Sequence, residues 1–175
     1  MDKQNLLDGV KTIHFIGIGG SGMCPLAEIL FNEGYKITGS DMAESDTLER
    51  IRSYGIPVTM GHYPENVEGA DLIVYTAAVK LDNPELVAAK HLGIPAVERC
   101  IMLGEVTRKY NRSIAVSGTH GKTTTTSLVS LCFLEAKKDP SIQVGAIIKE
   151  LNGNYRVGNL SLIHISEPTR RRGIS

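Results

Sequence analysis

Two glycine-rich strings in this chain have the residue types and spacing of phosphate-binding turns. The first, Gly17-Ile18-Gly19-Gly20-Ser21-Gly22, fits G-x-G-x-x-G and follows the apolar run Thr12–Ile16. Glycine permits the tight turn, bare backbone lets a diphosphate approach, and free N–H groups at a helix start supply positive potential. Asp41 stands 19 residues after Gly22, at the end of the next strand-like run, where an acidic side chain meets a ribose hydroxyl. Alone, this turn points to a diphosphate-bearing ligand without naming the nucleotide. It fits an NAD(P)-linked dehydrogenase, or a non-catalytic nucleotide-binding module, as well as any other diphosphate user.

The second string, Gly118-Thr119-His120-Gly121-Lys122-Thr123, follows the run Ile114–Ser117 and opens a helical stretch. In such a loop, backbone N–H groups wrap a β-phosphate, the lysine neutralises β/γ oxygens, and the threonine hydroxyl coordinates Mg²⁺. Val116 stands where the longer pattern G-x-x-x-x-G-K-[ST] has its first glycine, so this loop is the shorter G-x-x-G-K-T. A run of four threonines, Thr123–Thr126, then occupies a helix start. Threonine is a poor helix former, and ligand hydroxyls, capping or Mg²⁺ coordination give the run a reason. His120 reads as an anion contact or a bystander more than as a general base.

These turns need strands before them and helices after them, and the pattern supplies both. Short apolar runs alternate with amphipathic ones over the first hundred residues, as βα units around a parallel sheet do. Strands are expected at Thr12–Ile16, Lys36–Gly39, Ile56–Met60, Asp71–Tyr75 and Ile94–Val97. Helices are expected at Ser21–Asn32, Ser45–Tyr54, Asn83–His91 and Cys100–Lys109. Pro57 assigns its strand to an edge or a strand start. A boundary falls in the polar stretch Lys109–Arg112, and a new unit begins at Ser113 with one strand, the second turn, a helix over Lys122–Ala136 and a strand at Val144–Ile148. The expected organisation is a domain over 1–110, the truncated start of a second over 111–159, and a tail over 160–175.

The tail is expected to be non-native. Leu160–Arg170 resembles, residue for residue, the translation of a transposase adaptor used in sequencing libraries. The alternative is a real strand, Ser161–Ile165, and a basic end, Arg170-Arg171-Arg172, able to hold nucleic acid. Without the tail's three arginines and one glutamate, 16 basic and 18 acidic residues remain.

Composition bounds the class. Hydrophobic residues are 42% and charged residues 22%, which excludes collagen-like, disordered and disulfide-dense chains. With 19 basic and 19 acidic residues, no global field calls for nucleic acid or an anionic membrane. No signal peptide or membrane-spanning run is read. Cys24, Cys100 and Cys132 are widely spaced and form no C-x-x-C pair, which fits reduced, buried thiols in a cytoplasmic protein.

One turn per domain, the first for a diphosphate and the second for ATP, is unusual. Together with His14-Phe15-Ile16 before the first turn, Met23 after it, Gly39-Ser40-Asp41, Gly61-His62 and Asn83-Pro84-Glu85-Leu86, the two strings resemble the Mur ligases of peptidoglycan synthesis. The resemblance covers Lys11 to about Asn159. It implies an α/β protein: a Rossmann-like parallel-sheet domain for UDP, then the truncated start of a P-loop ATP-binding domain. It implies UDP-N-acetylmuramate and L-alanine as substrates, ATP and Mg²⁺ as cofactors, and an acyl phosphate on the path. Carried over by position, Gly17, Gly19, Gly20, Ser21 and Gly22 hold the substrate diphosphate, with Asp41, His62 and Thr76 as uridine or phosphate contacts. Gly118, Thr119, His120, Gly121, Lys122, Thr123 and Thr124 bind ATP, with Lys122 catalytic and Thr123 on the metal. The 175 residues by themselves are expected to be inactive, because further metal ligands, the adenine pocket and the amino-acid site lie in later parts of the family's chain.

Overall fold

In the computed structural model, which describes residues 6–110, 112–148, 151, 153–158 and 161–165, the run Thr12–Ile16 forms β1, with Ile13, Phe15 and Ile16 fully buried. A strand buried on both faces reads as continuous apolar sequence rather than an alternation. The chain divides into two compact units, residues 1–109 and 110–175.

The first unit continues through α1 (Cys24–Asn32), β2 (Lys36–Asp41), α2 (Asp46–Ser53), β3 (Val58–Met60) and a 3-10 turn at Pro64–Val67. β4 (Leu72–Tyr75), α3 (Pro84–Leu92), β5 (Ala96–Glu98) and α4 (Arg99–Lys109) complete it. All five strands are parallel, in the order β3-β2-β1-β4-β5. The chain builds outward on one side of β1, then crosses to the other with β4. That reversal opens a crevice at the strands' carboxyl ends, where such sheets take ligands.

Local chemistry explains most element ends. Ser45 caps α2, its hydroxyl accepting from the Leu48 amide at 3.3 Å. Asn83 caps α3 through the Glu85 amide at 2.9 Å, and Pro84 fills the first helical turn. Pro57 leaves β3 short and at the sheet edge. The first helix starts later than its sequence indicates. The Gly20 carbonyl accepts both the Met23 and Cys24 amides, at 2.8 and 3.0 Å, so Ser21–Met23 belong to the turn.

The second unit comprises β6 (Ser113–Val116), α5 (Lys122–Glu135), β7 (Pro140–Ile148), β8 (Gly153–Arg156) and β9 (Ser161–Ile165). Its sheet runs β6-β9-β7-β8, with β9 parallel to both neighbours and β8 antiparallel to β7. The strand expected at Val144–Ile148 therefore begins four residues earlier, at Pro140, and the hairpin to β8 was not anticipated. Ser161–Ile165 takes the strand alternative, and its apolar, β-branched residues favour that conformation whatever their origin. Leu160 and 166–175, including Arg170–Arg172, lie outside the described residues.

The thiols differ from expectation. All three are free, but only Cys24 is buried. Cys100 sits in the exposed first turn of α4, and Cys132 on an exposed position of α5.

Gly39 in β2 lets the first glycine turn lie against the sheet: a β-carbon there would fall 2.7 Å from Ile18 Cβ and 2.6 Å from its Cδ1. Gly39→Ala is expected to lower unfolding stability by about 1–3 kcal/mol, measured by urea titration, because the Ile18 Cβ cannot swing aside.

Candidate functional site

The first glycine turn is held by the chain's own groups. The Gly17 and Ile18 amides both donate to the Ser40 carbonyl, at 2.8 and 3.1 Å, and Gly17 takes a left-handed φ of +79°. The Gly19 amide donates to Asp41 Oδ2 at 2.8 Å, while the Gly19 carbonyl accepts from Thr47 Oγ1 at 2.6 Å. A side chain at Gly19 would meet Leu48 at 2.9 Å and Asp41 Oδ2 at 3.0 Å. Asp41 also accepts from the Met42 amide at 2.7 Å through Oδ1. Asp41 is thus brought to the turn, where backbone amides engage both its oxygens.

Beyond the turn, α1 begins without a side-chain cap and with no acidic residue in its first turn. Ser21 is exposed, and neither its amide nor its hydroxyl has a hydrogen-bond partner among the described residues. Helix starts attract anions; here the Met23 and Cys24 amides are taken up by the Gly20 carbonyl, which leaves the Ser21 amide as the donor facing outward. Thr76 follows β4, one register step beyond the Ile16–Tyr75 pair, which places it alongside Gly17. Its hydroxyl accepts from the Ala78 amide at 3.3 Å.

Behind the turn lies a buried polar cluster, of which the sequence assigned a role to His62 alone. The Glu85 carboxylate has no solvent exposure. It accepts from Ser40 Oγ at 2.7 Å, and from Asn66 Nδ2, while His62 Nδ1 stands 3.1 Å from Oε2. His14 Nε2 is 3.6 Å from Oε1, an electrostatic contact rather than a hydrogen bond, and His14 Nδ1 pairs with Thr38 Oγ1 at 2.8 Å. With the Ser40 proton committed to Glu85, His62 Nδ1 carries a proton and donates. That leaves Nε2 of His62, whose side chain is 18% exposed, as the nitrogen available to a ligand. Burial pushes the Glu85 carboxyl up; the His14 ring, the Asn66 amide and the Ser40 hydroxyl outweigh it and leave it below the ordinary glutamate range. Its sequence setting, an acid just after a proline at a helix start, is that of an exposed dipole partner, so burial was invisible there.

The second turn stands at the mouth of α5. Gly118 and Gly121 adopt φ of +153° and +76°, and Gly121 caps the helix with no side-chain bond. The Lys122 ammonium donates to the Gly118 carbonyl at 2.6 Å, lying across the loop it belongs to. Thr119, His120, Thr123 and Thr124 are exposed, with no acidic residue in the first turn of α5. A set of backbone N–H groups, one ammonium and threonine hydroxyls suits a polyphosphate. For a divalent cation it offers the Thr123 hydroxyl, and no cluster of three His, Cys, Asp or Glu side chains is found among the described residues. Further into the helix, Thr126 and Ser130 are buried while Leu128 remains 60% exposed.

Residues 12–111 match the model of the Mur ligase family, catalytic domain. The chain belongs to the Mur ligase family. Curated UDP-N-acetylmuramate–L-alanine ligases from Acetivibrio thermocellus and Legionella pneumophila are 50% and 52% identical to it, over 91% and 85% of this chain. This Mur ligase chain covers 34% and 32% of those relatives, about a third of their length. Among solved structures, UDP-N-acetylmuramate-alanine ligase from Thermotoga maritima superposes with a TM-score of 0.80 at 35% identity, over 89% of this chain and 36% of that one. A UDP-N-acetylmuramate:L-alanyl-gamma-D-glutamyl-meso-diaminopimelate ligase from Neisseria meningitidis gives 0.79 at 25% identity, over 90% and 52%.

The Glu85 cluster has a pH signature. A carboxyl held below its unfolded value contributes stability that is complete above about pH 4.3 and is lost as pH falls through the folded value. Glu85→Gln is expected to flatten that part of the acid-unfolding curve, read by denaturant titrations between about pH 3 and 6. Identical slopes in both proteins would show that the carboxylate carries no linked proton.

Proposed function

We propose that this chain is the nucleotide-handling part of a cytoplasmic enzyme that joins L-alanine to the lactyl carboxylate of UDP-N-acetylmuramate, forming a peptidoglycan precursor with conversion of ATP to ADP and phosphate. The observation that carries this reading is the pairing in one chain of two phosphate turns at strand–helix mouths, Gly17–Gly22 and Gly118–Thr123. A dehydrogenase has use for the first alone. The identity to UDP-N-acetylmuramate–L-alanine ligases supports the choice of substrates. No helix among the described residues is long and apolar enough to cross a membrane.

The chemistry requires activation, since a carboxylate does not react with an amine at neutral pH. In the proposed sequence a carboxylate oxygen attacks the γ-phosphorus and ADP leaves. The alanine amine then attacks the acyl carbon, loses a proton, and inorganic phosphate departs with the bonding pair. The backbone of Gly17, Gly19, Gly20, Ser21 and Gly22 faces the substrate diphosphate, and Asp41, His62 and Thr76 lie at the nucleotide end. Gly118, Thr119, His120, Gly121 and Thr124 line the ATP phosphates. The Lys122 ammonium, released from the Gly118 carbonyl, screens the approach of two anions. Thr123 gives Mg²⁺ one oxygen, and the metal supplies further charge neutralisation when bound.

Calorimetry on the 175-residue chain is expected to show binding of UDP-N-acetylmuramate in preference to NAD; the opposite preference would overturn the substrate assignment. In the full-length parent, Lys122→Ala is expected to raise the ligation barrier by about 3–4 kcal/mol while leaving UDP-N-acetylmuramate affinity unchanged. Near-normal turnover would refute the role of the second turn. The 175 residues by themselves are expected to release no alanine-dependent phosphate from ATP.

A further inference from the structure

The last glycine of the first turn does something other than admit a ligand. Gly22 is not among the residues with positive φ, so its backbone alone does not demand glycine. What demands it is Arg99: a β-carbon at position 22 would stand 2.8 Å from Nη1, 3.1 Å from Cζ and 3.3 Å from Cδ of that arginine. The guanidinium lies on the bare backbone of Gly22, two residues before α1 begins.

This position is electrostatically unusual. Arg99 is the first residue of α4, so its charge sits at one helix start and against another. Neither α1 nor α4 has an acidic residue in its first turn. Helix starts already carry positive potential, and arginine ordinarily gains at the opposite end. The guanidinium thus stands at two helix starts beside the turn, with the Glu98 carboxylate at the mouth of α4 and that of Asp41 on Gly19, and its charge is what an anion with several oxygens complements there. A planar, permanently charged fork also matches such an anion bidentately, which a lysine cannot do.

We propose that Arg99 is a diphosphate-binding residue of the first glycine turn and sets the preference of this site for nucleoside diphosphates over uncharged nucleosides. The proposal rests on the UDP-binding reading above and adds a side-chain cation to a turn most of whose amides are already taken up by Ser40, Asp41, Gly17 and Gly20. Gly22 serves it indirectly, by leaving room for the guanidinium to lie across the mouth of the turn.

The test is calorimetry with UDP and with uridine on the 175-residue chain, as wild type, Arg99→Gln, Arg99→Lys and Gly22→Ala, with circular dichroism to establish folding. Arg99→Gln is expected to weaken UDP binding about 10- to 100-fold, to leave uridine affinity unchanged, and to reduce the salt dependence of UDP binding. Arg99→Lys recovers part of the loss. Gly22→Ala, which displaces the guanidinium without removing its charge, weakens UDP selectively and decides the question if Arg99→Gln does not fold. Unchanged UDP affinity in the folded variants would overturn the proposal, and so would equal losses for UDP and uridine, which mark a structural role. If the wild type binds neither UDP nor uridine, the UDP reading itself falls, and the assignment of Arg99 with it.

Discussion

Ser40 joins the parts of the first unit that have to agree. Its carbonyl receives the amides of Gly17 and Ile18, and its hydroxyl is committed to the buried Glu85 carboxylate. The shape of the glycine turn, the start of α3 and the ring of His62 are thereby tied to one residue near the end of β2. Such an arrangement is tolerable because the carboxylate accepts from Ser40, Asn66 and His62; a buried carboxylate with fewer donors would be costly. Gly39, one residue earlier, completes the constraint by letting Ile18 fall against β2. The shape of the glycine turn and the stability of the fold therefore draw on the same few atoms.

The second unit is organised differently. Its loop is closed by Lys122 reaching the carbonyl of Gly118, so the residue that would serve polyphosphate occupies its own turn in the meantime. Its helix places the small hydroxyl residues Thr126 and Ser130 inward, whereas Leu134 packs with the cluster of Ile142, Val144 and Ile148. The threonine run is therefore split: Thr123 and Thr124 are exposed at the loop, whereas Thr126 is buried, a placement that the motif gave no means to find.

Features decided within a few residues were legible in the sequence. The two turns, the continuous apolar strand β1 and the edge placement imposed by Pro57 each follow from local chemistry. What escaped was set by residues distant in sequence. Glu85 is buried because Ser40, Asn66 and two histidines surround it from four other segments. Arg99 meets Gly22 only because β5 and α4 return to the crevice beside α1. Cys100 and Cys132 were assigned to the interior from composition alone, and helix phase decided otherwise. β9 was visible as a possible strand, but its insertion between β6 and β7 is a matter of sheet topology.

The bonds from Asp41 and Thr47 to Gly19 bear on the kinetics of ligand capture. Because they, with Ser40, fix the turn before any ligand arrives, the conformational entropy of ordering it is lost during folding and not on association. A diphosphate ligand of the kind proposed would then meet a turn already ordered at Gly17–Gly19, and its arrival rate would be set by diffusion. For such ligands, differences in affinity would be expressed in residence times, with little variation in how fast they bind.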